Sequence, residues 1–115
     1  MYPVKVGKNF RTLSPLRGVV QLVSPEENVN GLIITTGLIA AANGAVNVFI
    51  GATAPTSLTD FSKAIIFSGN GNSAAGSNAE VVLPFPLLVP AGNGLWAASQ
   101  TTGTAAVAMT WDLLA

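Results

Sequence analysis

Bulky and small residues alternate along the last stretch of the chain. Ala105, Val107, Met109, Trp111 and Leu113 are offset by one position from Thr104, Ala106, Ala108, Thr110 and Asp112. A period of two sends successive side chains to opposite sides of an extended backbone, so this stretch reads as a strand with one buried face. Turn signals at Ser24-Pro25, Asn30-Gly31, Asn43-Gly44, Asn70-Gly71, Asn93-Gly94 and Gly103 divide the rest. Between them, runs of Val, Ile, Leu and Phe predict strands over 16–23, 32–41, 45–51, 62–68, 79–83, 95–101 and 105–113, with 85–89 able to add an eighth. Helical periodicity is absent apart from a turn near 56–61.

Within 32–41, Leu32, Ile34, Thr36, Leu38 and Ala40 are expected on one face and Ile33, Thr35, Gly37, Ile39 and Ala41 on the other. Both sets are largely apolar, which predicts a strand covered on both sides, once by the core and once by a neighbour. Asn43-Gly44 predicts a hairpin turn into 45–51. Pro84, Pro86 and Pro90 cannot donate to a ladder, so their segment belongs on an edge or between sheets, guarded against uncontrolled pairing. The run SGNGNSAAGSN (68–78) has no bulky side chain and is expected to be a mobile loop. Seven or eight short strands in one chain imply an all-β fold: a two-sheet antiparallel β-sandwich, jelly-roll-like, with an immunoglobulin-like sandwich as the alternative. Residues 16–115 form this domain, and residues 1–15 are expected to be an extended basic N-terminal arm.

Charge changes the picture. Only 9% of the 115 residues are charged, against roughly 25% in an average soluble domain, and the formal net charge is zero. A surface so poor in charge has little repulsion to keep copies apart, which favours association into a homodimer or homotrimer. Lys5, Lys8, Arg11 and Arg17 all lie in the first seventeen residues, whereas Glu26, Glu27, Asp60, Glu80 and Asp112 follow, with Lys63 the sole later base. The arm is therefore expected to lie over an acidic neighbour through Lys5, Lys8, Arg11 and Arg17. With only Tyr2 and Phe10 for stacking, this segment falls short of a nucleic-acid patch.

The sequence argues against an enzyme. It contains no histidine and no cysteine, which removes the usual base near neutral pH, the commonest metal ligand and any disulfide. No serine sits in a G-x-S-x-G elbow, and the Gly-rich run lacks a phosphate-loop pattern. Glu26-Glu27 follow Ser24-Pro25 and read as a solvated turn. Asp60, Glu80 and Asp112 have no motif to pair them, so no catalytic residue, metal or cofactor is expected. Lys63 reads as the start of a strand whose amine reaches solvent rather than as a partner in a lysine–asparagine crosslink. Trp111 belongs to the bulky face of its strand and should be core, whereas Trp96 is a candidate exposed aromatic for binding a partner or stacking on a sugar. The apolar runs GLIITTGLIAAA (31–42) and AVNVFIGA (45–52) are each shorter than the roughly 20 residues of a helical membrane span. The opening MYPVKVGKNFRTL lacks the apolar stretch of a secretory signal.

The stretch LLVPAGNGLWAASQTTGTAAVAMTWDL (87–113) resembles the closing hairpin of small virion proteins of tailed bacteriophages, with Val89, Pro90, Ala91, Gly92, Gly94, Leu95 and Trp96 as the matching turn. The low charge and the Ala, Gly, Thr and Asn bias are similar to those proteins as well. The resemblance implies a protein that decorates or cements a capsid, bound to itself and to a major capsid or other virion protein, and located in the virion after assembly in the bacterial host cytoplasm. A carbohydrate- or receptor-binding module of a tail appendage and a small integral membrane protein are the alternatives.

Overall fold

The C-terminal alternation becomes a strand, β9 (Ala106–Leu113), whose Val107, Met109 and Trp111 are buried while Ala106, Ala108, Thr110 and Asp112 are half-buried on the other side. Sliding it by one residue would turn those three side chains to water, at about 1.5–3 kcal/mol for each large apolar group, so burial fixes its register. The computed structural model describes residues 5–41, 44–71, 79–100 and 104–115. Among these, the other strands are β1 (Asn9–Leu13), β2 (Gly18–Val23), β3 (Leu32–Ala41), β4 (Gly44–Gly51), β5 (Ala64–Gly71), β6 (Ala79–Val82), β7 (Leu87–Val89) and β8 (Gly94–Ser99).

Two antiparallel sheets pack face to face as a β-sandwich. The front sheet has the order β1-β9-β3-β6, with β7 also on β3; the back sheet has the order β2-β8-β4-β5. The core between them holds Leu16, Leu32, Ile34, Ile39, Val46, Val48, Leu95, Val107 and Met109, all almost fully buried. β6 and β7 are two halves of one edge strand. The six steps from Leu32 to Leu38 on β3 are met by seven from Val82 to Val89, and the extra residue falls around Pro84, Phe85 and Pro86, where the ladder breaks.

Four sequence expectations need correction. β3 carries a bulge: Ile34 faces Trp111 and Thr36 faces Thr110, leaving Thr35 as the extra residue. The bulge re-phases the strand, so the inward set is Leu32, Ile34, Gly37, Ile39 and Ala41 rather than either strictly alternating set. β3 and β4 do not form a hairpin, because β3 belongs to the front sheet and β4 to the back; residues 42 and 43, where the turn was expected, lie outside the described residues. β8 and β9 likewise lie in opposite sheets, so the expected closing hairpin is a crossover instead. Finally, residues 9–13 of the expected arm are a strand, paired from Asn9↔Trp111 to Leu13↔Val107. Leu13 packs on the core and the backbone completes the β9 ladder, which holds the segment in the sheet.

The expected loop at 68–78 starts late, since β5 continues to Gly71; residues 72–78 lie outside the described residues. Near 56–61 the chain does turn: the Asp60 N–H donates to the Ser57 carbonyl at 3.2 Å.

Candidate functional site

The two sheets treat their outer faces differently. On the back sheet, Phe49 and Trp96 are cross-strand partners that point away from the core. Together with Ala98 they form a second small cluster, and Val19 and Leu58 pack against it. Leu58 belongs to the connection 52–63, which folds back over this face. The Asn47 amide holds it there by donating to the Leu58 carbonyl at 2.9 Å, and the Lys63 amine donates to the Thr53 hydroxyl across the neck of the loop. Trp96 is consequently only 3% exposed. Its indole lies over Gly94, where a Cβ would stand 2.7 Å from Cη2, so the Gly-Leu-Trp spacing serves packing. The expectation of an exposed Trp96 is corrected: the chain buries it under its own loop, beyond reach of a partner or a sugar.

Nothing comparable covers the front sheet among the described residues. Its outward side chains form rows set by the register. Thr12, Ala108, Leu38 and Val82 make one row across β1, β9, β3 and β6. Phe10, Thr110 and Thr36 make the next, and Asp112, Ile33 and Leu88 a third. Phe10 is 74% exposed, and Val82 and Leu88 are about two-thirds exposed. Between Phe10, Leu38 and Val82 lies a shallow depression of about 430 Å³, floored by Ala108 and Met109. A second, of about 490 Å³, lies between Ile33, Asp112 and the break at 84–86, where Phe85 is also exposed. Contiguous exposed apolar surface of this kind marks an interaction site on a soluble protein.

The chain ahead of β1 runs along one end of this face. The Gly7 N–H donates to the Thr110 hydroxyl at 3.1 Å and the Lys8 N–H to Asp112 Oδ1 at 2.8 Å. Gly7 approaches so closely that a Cβ there would overlap the Trp111 backbone. Lys5 Nζ lies 3.4 Å from Asp112 Oδ2. The Lys8 N–H foremost, then Lys5, hold the Asp112 carboxyl below its ordinary pKa against a smaller opposing effect of desolvation. Asp60 is lowered to about 2, chiefly by the Ser62 hydroxyl and then by the Thr56 N–H. Both carboxylates thus hold their charge for structural contacts and are poor proton donors near neutral pH.

The four arm cations do not converge. Lys5 and Lys8 sit near Asp112 at one end of the front sheet, whereas the Arg11 guanidinium reaches toward the back sheet and donates to the Gln21 carbonyl at 2.7 Å. Arg17 is exposed on the connection to β2. The segment's basic residues therefore tie the chain to itself at two places. What sequence reasoning missed are the apolar positions: Phe10, Leu38, Val82 and Leu88. Their signal was the apolar outer set of 32–41, legible once its neighbours are placed beside it. Asn28, buried, clamps the turn before β8 by donating to the Pro90 and Asn93 carbonyls at 2.8 and 2.9 Å.

No family model, curated protein or solved structure matches the chain. Among the described residues no helix is long and apolar enough to cross a membrane, and the apolar stretch 31–52 is divided between β3 and β4 in opposite sheets.

Proposed function

We propose that this chain is a non-enzymatic structural protein that acts through its bare front face, and that it decorates or cements a phage capsid. The observation that carries the reading is the asymmetry of the sandwich. One outer face is sealed by residues 52–63, and the other displays Phe10, Leu38, Val82 and Leu88. A decorating subunit needs copy-to-copy and copy-to-shell surfaces and no catalytic cleft, and a charge-poor apolar face is suited to both.

Strand order adds support. Every connection except β4 to β5 crosses between the sheets when β6 and β7 are taken as one edge strand, and we read this order as jelly-roll-like, an arrangement used by viral capsid domains among others. Topology alone does not assign function, so the address in a virion rests on this pattern together with the likeness of residues 87–113 to small tailed-phage virion proteins.

The test is particle composition. Particles purified from the virus that encodes this chain should contain it in a fixed ratio to the shell protein. Particles assembled without it should lose resistance to heat or chaotrope, and regain it when purified protein is added. Absence of the chain from particles, with unchanged particle stability, would reject the virion role.

A further inference from the structure

We infer that the front face is an isologous interface between two copies of this chain, with each Phe10 seated in the other copy's depression between Leu38 and Val82. This deepens the assembly reading and rests on it.

Charge selects the partner. The charged residues bordering this face are Lys5 and Lys8 of the N-terminal segment, Asp112, and Glu80, which the register sets beside Ala40 on the edge strand; Lys5 and Asp112 are already paired. The rows between are Phe, Leu, Val, Ala and Thr. A polyanion or a strongly charged protein would find no array of opposite charge there. A second copy brings the same charge-poor face, whose bordering residues, two basic and two acidic, sum to zero, so neither copy sets a net like charge against the other.

Size and relief agree. The 5, 8 and 10 residues of β1, β9 and β3 and the 4 and 3 of β6 and β7, at about 3.3 Å each on strands about 4.8 Å apart, give roughly 480 Å² of flat sheet. The relief of the side chains brings this toward the roughly 800 Å² per partner of a standard stable interface. The relief is also self-complementary. Phe10, Leu38 and Val82 stand up, while Ala40, Ala106 and Ala108 lie low beside them, and the hollow of about 430 Å³ has Phe10 on its rim. A two-fold axis over the β9–β3 ladder makes residue i of one copy meet residue j of the other and the reverse, so a projection and a hollow on one surface serve twice. Sheet-on-sheet packing of this kind already builds the interior of the monomer.

The experiment is light scattering of the full chain over a range of concentrations, with three variants. Phe10→Glu and Leu38→Lys change outward side chains that support no core residue. Phe61→Glu alters an equally exposed aromatic, 76% accessible, on the loop over the back sheet. The wild type should be a dimer. Phe10→Glu and Leu38→Lys should each weaken association roughly thirtyfold or more, as centrally placed interface residues do, with an unchanged circular dichroism spectrum. Phe61→Glu should remain dimeric. A monomeric wild type, a trimer, or a dimer indifferent to both front-face variants overturns the inference. A chain that is monomeric in solution yet stoichiometric in particles defeats this inference and leaves the virion role standing. A dimer absent from particles does the reverse.

Discussion

The hydroxyls of Thr36 and Thr110 lie 2.6 Å apart across β3 and β9. The Thr110 hydroxyl is also 2.8 Å from that of Thr35 and accepts the Gly7 N–H at 3.1 Å. One side chain therefore closes both residues of the β3 bulge and anchors the segment ahead of β1. Thr110→Val keeps the shape and removes every one of these bonds. It should destabilise the protein by about 1–3 kcal/mol, because half-buried hydroxyls lose their partner. Thr110→Ser should lose much less. Denaturant midpoints of the two variants check this, and equal midpoints would remove Thr110 from its role as the bulge clamp.

Trp96 fills the space between the back sheet and its loop. Trp96→Ala should cost about 3–5 kcal/mol, the range for emptying a large aromatic site. Because Trp111 is buried as well, native emission should be blue-shifted and poorly quenched by iodide. Strong quenching of the native protein would contradict the seal formed by residues 52–63.

Acid should weaken the fold through two aspartates. Asp60 titrates near 2 in the folded protein instead of at its ordinary 3.8, and Asp112 is lowered too. A carboxyl whose folded pKa is depressed stabilises fully above its unfolded pKa and loses that contribution as pH falls through the folded value. For Asp60 the loss runs from about 3.8 down to about 2. Carbon-13 titration of the carboxyl signals should place both midpoints below 3.8. In Asp112→Asn the Lys8 amide should exchange faster with solvent, and an unchanged rate would mean that Asp112 does not hold the segment.

Deleting residues 1–13 removes β1 and with it the backbone partners of β9 from Val107 to Trp111. The truncated chain should unfold at lower denaturant and associate without a defined size, since a core strand becomes a bare edge. A truncated protein as stable as the whole would return these residues to the status of a dispensable arm.

Most of the strands were legible because turn residues punctuate the sequence and apolar runs lie between them; β3 was expected at 32–41 and is found there. What local signals do not encode is where the chain goes after a turn. Asn43-Gly44 suits a hairpin, yet β3 and β4 enter different sheets, because alternating between sheets buries the apolar side of each. β1 was missed because NFRTL carries only Phe10 and Leu13 as apolar residues, one on each face, and edge pairing supplies the rest of its stability. The Thr35-Thr36 pair hid the bulge, since two adjacent threonines look alike to an alternating pattern until the Thr110 hydroxyl brings both to one side. Trp96 misled for a related reason: its strand position points outward, and only a loop distant in sequence turns outward into buried.

The loop over the back sheet gives the molecule a direction. Whatever the bare face joins, residues 52–63 end up on the far side of the joint, tethered at Asn47 and at the Thr53–Lys63 neck but not part of any ladder. A peptide spliced into the exposed tip near Phe61 would be carried at the periphery of the assembly, visible to an antibody on every copy. The same peptide placed beside Phe10 would be shut inside, or would prevent the copies from meeting at all.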